Sequence, residues 1–120
     1  MPISRVLVVD DEPINGLLLK LNLEDLGYQV VLAKDGVEAV AQVKADSFDL
    51  VLMDVMMPRM NGLDATRNIV ALHPALTIIG ITADDTNAMH RDCLDAGMRV
   101  CLLKPLEMPR LLAAIDALGS

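Results

Sequence analysis

Four short apolar runs each end on polar residues whose chemistry is complementary. Val6-Leu7-Val8-Val9 runs into Asp10, Asp11 and Glu12, and Leu50-Val51-Leu52-Met53 runs into Asp54. Ile78-Ile79-Gly80-Ile81 runs into Thr82, and Val100-Cys101-Leu102-Leu103 runs into Lys104 and Pro105. Three carboxylates, a hydroxyl and an ammonium suit a carboxylate that accepts a phosphoryl group beside a divalent cation. Two unit charges about 4 Å apart repel by roughly 4 kcal/mol at an effective dielectric near 20, so ionised Asp10, Asp11 and Asp54 need a counter-charge. Mg²⁺ supplies one: it takes carboxylate and backbone oxygens, keeps several waters and bridges to phosphate. One oxygen of Asp54 would then attack phosphorus in line and form an acyl phosphate. Lys104 would pair with Asp54 at rest and with phosphoryl oxygens afterwards, while Thr82 would donate its hydroxyl. Plainer roles compete: Asp10 and Asp11 as caps of a helix, Thr82 as another cap, Lys104 as a solvated surface residue.

The elements that must bring these residues together are legible in the same runs. Apolar stretches of four or five residues bounded by turn signals read as strands buried on both faces, the kind found in parallel sheets. All C-terminal ends of such strands share one edge, where open α/β folds hold their ligands. Between the strands, Ile14, Leu17, Leu18 and Leu21 recur at helical spacing, with Pro13 in the first turn and Gly27 at the stop. Tyr28 to Ala33 reads as the second strand. Asp35-Gly36 opens a helix with an expected inner face of Val37, Val40, Ala41 and Val43, leaving Lys44 outside. A loop from Pro58 to Gly62 precedes a helix near Leu63 to Leu72, which His73-Pro74 ends. A fourth helix is expected from about Asp85 to Ala96, closed by Gly97. Met108, Leu111, Leu112, Ile115 and Leu118 form the stripe of the last. Five strands alternating with five helices predict one doubly wound α/β domain over residues 1–120, with no linker or repeat.

Bulk properties narrow the function. The 120 residues carry a net charge of -7 and only Tyr28 and Phe48 as aromatics, which argues against direct nucleic-acid binding. Although 53% of the residues are hydrophobic, no apolar stretch approaches the roughly 18 residues of a membrane span. The early acids leave no room for a signal peptide, so a cytoplasmic location without membrane insertion is expected. Cys93 and Cys101 lack metal-ligand spacing and read as buried thiols. His73 and His90 read as surface residues, and Met53, Met56, Met57 and Met60 as packing and loop filler.

With these residues in view, the chain resembles a response-regulator receiver domain of two-component systems over essentially its whole length. The segments that carry the likeness are VLVVDDEPIN at 6–15, DLVLMDVMMPRMNGLDATR at 49–67, IIGITAD at 78–84 and AGMRVCLLKPL at 96–106. Each is moderately specific; their order and spacing together are highly specific. The resemblance implies a flavodoxin-like (βα)5 fold with strand order 2-1-3-4-5. It implies Asp54 as phospho-acceptor, Asp11 as a direct Mg²⁺ ligand, Asp10 acting through water, and the backbone carbonyl of Met56 completing the protein's share of the metal shell. Mn²⁺ is the alternative ion. Thr82 and Lys104 would hold the phosphoryl oxygens, and the donor would be a phosphohistidine on a histidine kinase or histidine phosphotransfer protein. Such a domain catalyses its own phosphorylation and dephosphorylation without turning over a separate substrate.

Asn15, the GMRVCLLKPL stretch and the lack of an attached output domain resemble receiver domains of hybrid sensor histidine kinases, the cytoplasmic part of a membrane-bound sensor. A stand-alone single-domain regulator acting by protein binding is the alternative. One departure stands out: family members often carry Tyr or Phe three residues before the lysine, a switch position occupied here by Cys101. That predicts a smaller surface change on phosphorylation, or one routed through the loop after Thr82. Met56 and Asp84 are expected to flank the path of attacking water. An Mg²⁺-dependent aspartyl-phosphate phosphatase is the rival enzyme class, but Met56 stands where such enzymes place a second Asp. A nucleotide-binding module would need a Gly-rich loop after the first strand, which is missing. A purely structural interaction domain would not need the intact acids, Thr82 and Lys104.

Overall fold

The computed structural model describes residues 3–57 and 60–119; of the expected Pro58 to Gly62 loop, Pro58 and Arg59 lie outside that range. The order is β1 (Arg5–Val9), α1 (Pro13–Asp25), β2 (Gln29–Ala33), α2 (Gly36–Ala45), β3 (Leu50–Asp54), α3 (Gly62–Leu72), β4 (Thr77–Thr82), α4 (Asn87–Ala96), β5 (Val100–Leu103) and α5 (Met108–Gly119). The strands form one sheet in the order β2-β1-β3-β4-β5, and every neighbouring pair is parallel, as the doubly wound reading requires. Among the described residues, no helix is long and apolar enough to cross a membrane.

Alternation along the strands divides the core into two layers, because successive side chains point to opposite sheet faces. Leu7, Val9, Val51, Met53 and Ile78 pack with Ala39, Val43, Ala65, Ile69 and Cys93 of α2, α3 and α4. Val6, Val8, Leu50, Leu52, Ile79 and Ile81 pack with Leu23, Leu111 and Ile115 of α1 and α5. Strands sandwiched this way are apolar on both faces, which is why they read as unbroken hydrophobic runs.

The helices depart from expectation in phase more than in position. The apolar residues Ile14, Leu17, Leu18 and Leu21 do lie on α1, but face outward, with Ile14 72% exposed. The buried residues of α1 are Gly16 and Leu23. Gly16 faces the sheet, where a Cβ would stand at ordinary contact distance, 3.7 Å from a Leu32 methyl and 3.8 Å from Asp10. On α2 the inner residues are Gly36, Ala39 and Val43, whereas Val37 is 41% exposed and Ala41 is exposed as well. The Asp35 side chain accepts the Glu38 N–H at 2.8 Å, and Gly36 lies tight against Met60, so cap and contact together set the helix phase.

The start of α4 is also displaced. Thr86, not Thr82, caps it by accepting the Met89 N–H at 3.2 Å, and Thr82 belongs to β4. Gly97 closes this helix in the left-handed region, with φ of 118°, where a side chain would be strained. His73 caps the C-terminal end of α3 and is exposed, while His90 is half-buried on α4.

Candidate functional site

Strand register assembles the site. Val9 pairs with Met53, Asp54 with Ile81, and Thr82 with Leu103. The residue following each partner is therefore a site residue: Asp10 after Val9, Thr82 after Ile81, Lys104 after Leu103. With neighbouring strands about 4.8 Å apart, the polar endings face one cleft. Backbone bonds pin these ends: Asp10 N–H donates to the Ala33 carbonyl (3.1 Å), Val55 N–H to Ile81 (3.0 Å) and Lys104 N–H to Thr82 (2.8 Å). The Lys104–Pro105 peptide bond is cis.

Asp54 is the centre of this group. Its side chain is 2% exposed; one carboxylate oxygen, Oδ2, receives the Lys104 ammonium at 3.2 Å, and the other accepts the Met56 N–H at 3.2 Å. Asp10, Asp11 and Asp54 each offer a carboxylate oxygen, and these oxygens all lie within 4.8 Å of one another. Burial pushes Asp54 above the ordinary carboxylate range; Lys104 pulls it back and Asp10 adds to the rise. Burial likewise raises Asp10, against the Glu12 N–H that its Oδ1 accepts at 2.9 Å and against Lys104. Burial is the larger cause at both carboxyls, and Lys104 offsets it only in part. The donor set, all hard oxygens with one ammonium at the rim, fits a hard divalent cation.

Thr82 is buried, and its Oγ1 accepts the Asp84 N–H at 3.1 Å, which leaves the hydroxyl proton to donate elsewhere. Asp84 itself accepts the Thr86 N–H at 2.9 Å, and that bond holds its carboxyl below the usual range. Met56, next but one to Asp54, is 66% exposed. The acids cap no helix by side chain: the N-cap of α1 is Glu12, without a side-chain cap bond. Asp10, Asp11, Asp54, Thr82 and Lys104 are thus gathered where the strand endings place them. Cys101 stands apart from the cleft, buried against Cys93.

One contributor escaped the sequence reading. Gly62, the first residue of α3, lies so close to the Asp54 backbone that a Cβ there would run into the Asp54 carbonyl oxygen and sit 2.8 Å from the Val55 Cα. Its N–H donates to the Val55 carbonyl at 2.8 Å, fixing the turn that follows Asp54. Glycine in a loop before a helix has many uses, and only the contact identifies this one.

The strand order and the acidic cleft at the strand C-termini define a flavodoxin-like domain with a candidate hard-cation site. A family model described as response regulator receiver domain matches residues 6–116, and the chain belongs to that family. It is 42% identical over 106 residues to the sensor histidine kinase RcsC of Salmonella typhi, covering 88% of this chain and 11% of that protein. The chain thus spans only about a tenth of the length of that curated relative. Among solved structures it resembles the receiver domain of the Pseudomonas aeruginosa sensor histidine kinase PA1611, described with a magnesium ion coordinated in the active site cleft. The TM-score is 0.87 at 33% identity, with 96% of each chain covered. A chain in the co-crystal of the Saccharomyces cerevisiae histidine phosphotransfer protein Ypd1 with the receiver domain of Ssk1 matches with TM-score 0.92 at 28% identity, over 98% of this chain and 90% of that one.

Proposed function

We propose that this receiver domain takes a phosphoryl group from a phosphohistidine onto Asp54, as the phosphorelay module of a hybrid sensor histidine kinase on the cytoplasmic side. The observation that carries the proposal is the environment of one buried carboxylate: Asp54 holds Lys104 at 3.2 Å, with carboxylate oxygens of Asp10 and Asp11 within 4.8 Å. In the transfer, a carboxylate oxygen of Asp54 bonds to phosphorus as the nitrogen–phosphorus bond of the donor breaks, and the electron pair leaves with the imidazole. Lys104 follows the charge from Asp54 Oδ2 to a phosphoryl oxygen, and the Thr82 hydroxyl donates to a second. Mg²⁺, with Mn²⁺ as the alternative, would be held by Asp11, Asp54 and the Met56 carbonyl, with Asp10 through water, and would neutralise phosphoryl charge when bound.

The same reading assigns a docking surface. The exposed apolar residues Ile14, Leu17, Leu18 and Leu21 lie on α1, directly after the acid pair. A groove of about 570 Å³ runs from Asp10, Asn15 and Leu18 to Lys104, Leu106 and Met108, joining that helix to the cleft. A contiguous apolar surface beside a reactive cleft suits a partner helix that carries the phosphohistidine. Ssk1, which this chain resembles, is seen with such a phosphotransfer protein.

Two measurements test the proposal. Incubation with Mg²⁺ and acetyl phosphate should add one phosphoryl group to the wild type in an intact-mass spectrum and none to Asp54→Ala. An unlabelled wild type, or an adduct that survives in Asp54→Ala, would overturn the assignment. Leu18→Asp should slow transfer from a phosphorylated histidine phosphotransfer protein at least tenfold while leaving acetyl phosphate labelling intact. Equal rates from both donors would remove α1 from the docking surface.

A further inference from the structure

The buried sulfurs between α4 and β5 form a group that the phosphoryl chemistry does not use. Cys93 on α4 and Cys101 on β5 place their Sγ atoms 3.3 Å apart, both as free thiols, and their exposures are 0% and 5%. Gly80 makes room for them. It pairs with Cys101 across the sheet, and a Cβ on it would press on the Met98 sulfur and stand 3.2 Å from Cys101 Sγ. Met98 is also tied to Cys93 through its backbone, donating its N–H to the Cys93 carbonyl at 3.0 Å. The chain has two cysteines in all, seven residues intervene between them, and the fold brings them into contact.

From this geometry we infer that Cys93 and Cys101 are an oxidisable pair, which a peroxide converts into a disulfide that ties α4 to β5. A disulfide needs its sulfurs about 2.05 Å apart, so the thiols need to close by little more than an ångström. The chemistry balances with hydrogen peroxide as oxidant. One thiol reduces the peroxide and becomes a sulfenic acid, releasing a water. The second sulfur then attacks the sulfenic sulfur, the S–O bond breaks, and a second water carries off the remaining thiol hydrogen.

Contact selects the product. A sulfenic acid formed at either position has the other sulfur already against it, so the disulfide forms before further oxidation or reaction with another chain. Burial limits the rate: it pushes Cys101 up to about 12 and raises Cys93 too, so few thiolates are present at neutral pH. The pair therefore answers to sustained peroxide, and an exposed thiol would react sooner. Once formed, the bond fastens the middle of β5, three residues before Lys104, to the last turn of α4.

The test uses the folded chain as it is. After exposure to hydrogen peroxide and removal of the excess, the protein is denatured with N-ethylmaleimide and digested with trypsin without reductant. Cleavage after Arg99 separates the two cysteines, so their peptides stay joined only through the disulfide. We expect the joined peptide in monomeric protein, and its conversion by dithiothreitol into two maleimide-labelled peptides. Two labelled peptides without reductant, a sulfinic acid at either cysteine, or a chain-to-chain dimer would each overturn the pairing. Cys93→Ser and Cys101→Ser should lose the joined peptide; the wild-type result stands on its own if either variant fails to fold. Hydrogen exchange supplies the second readout. Amides of Asn87–Ala96 should exchange more slowly in the oxidised protein, and unchanged rates would refute the tether between α4 and β5.

Discussion

Asp54 and Lys104 behave as one unit, and each change at this pair has two consequences. Lys104→Ala leaves a carboxylate that is 2% exposed without its cation, in a site where burial already disfavours the charge. Breaking a fully buried pair costs roughly 3–5 kcal/mol; with the lysine 29% exposed, about 1–3 kcal/mol is expected from urea unfolding at neutral pH. The same variant loses a charge-assisted hydrogen bond to the transferring group. At roughly 1.5–3 kcal/mol this corresponds to a drop of about 10- to 100-fold in the rate of acetyl phosphate labelling. A variant as stable as the wild type and labelled as fast would deny Lys104 both roles. Met56 poses a separate question. Its N–H holds Asp54 Oδ1, and its side chain is 66% exposed; we expect that side chain to flank the path of attacking water. Met56→Asn replaces apolar bulk with a group able to orient that water, so the phospho-Asp half-life should shorten, with labelling unaffected. An unchanged half-life would place the path of water elsewhere.

At the scale of elements, close approach and capping decide geometry that sidedness alone does not. Gly62→Ala drives a methyl into the Asp54 carbonyl and against Val55, so β3 and α3 must separate. Overpacking of this kind costs roughly 1–3 kcal/mol, and here it also displaces the acceptor carboxylate. We expect a lower Tm and slower labelling together; a fall in Tm alone would mean that α3 yields and Asp54 stays in place. At the other end of the sheet, Asp49 ties the start of β1 to β3 by accepting the Ser4 and Arg5 N–H groups at 3.0 and 2.9 Å. These bonds hold its carboxyl below 3.8. A lowered acid adds stability that is complete above the unfolded value and lost as pH falls through the folded one. The gap between wild type and Asp49→Ala should be about 1 kcal/mol at pH 7, kept small by solvent, and should close below about pH 3.8. A gap that persists in acid would indicate packing in place of charge.

These elements also show what the amino-acid order discloses. Strand runs and their polar endings were legible because a strand buried on both faces is apolar throughout, so its first polar residue marks the sheet edge. The inward face of α1 was not, and that of α2 was legible only in part: Val40 and Val43 pack inward, whereas Val37 and Ala41 do not. Leucines at 17, 18, 19, 21 and 23 surround α1, so no single stripe exists to read. Its contact face runs through Gly16 and Leu23, and periodicity gives a glycine no weight. On α2, a cap and a glycine contact set the phase ahead of the valines. The helix stop at Gly97 was legible, but the contact of Cys93 with Cys101 depends on how α4 packs on β5, a tertiary fact with no local trace.

The whole molecule carries a net charge of -7, and its cleft concentrates three carboxylates that the core of the sheet cannot dilute. Self-repulsion of this kind opposes the compact state, and any cation bound only by the folded chain offsets it. Stabilisation by such a ligand at a hundred times its dissociation constant is about 2.7 kcal/mol, or roughly 10 °C in Tm for a domain of this size. Saturating Mg²⁺ should therefore raise Tm by roughly that amount, whereas the same ionic strength in NaCl should do much less, because screening acts on all charges weakly. Asp54→Asn keeps an oxygen for Lys104 but removes one of the three charges. Without divalent cation its Tm should equal or exceed that of the wild type, and its response to Mg²⁺ should shrink. Scanning calorimetry of both proteins, with and without Mg²⁺, separates the terms. If Mg²⁺ raises both equally, the cation is bound outside the Asp10, Asp11 and Asp54 cluster; if Asp54→Asn is markedly less stable in its absence, the carboxylate is a structural support of the fold and its charge is no burden to it.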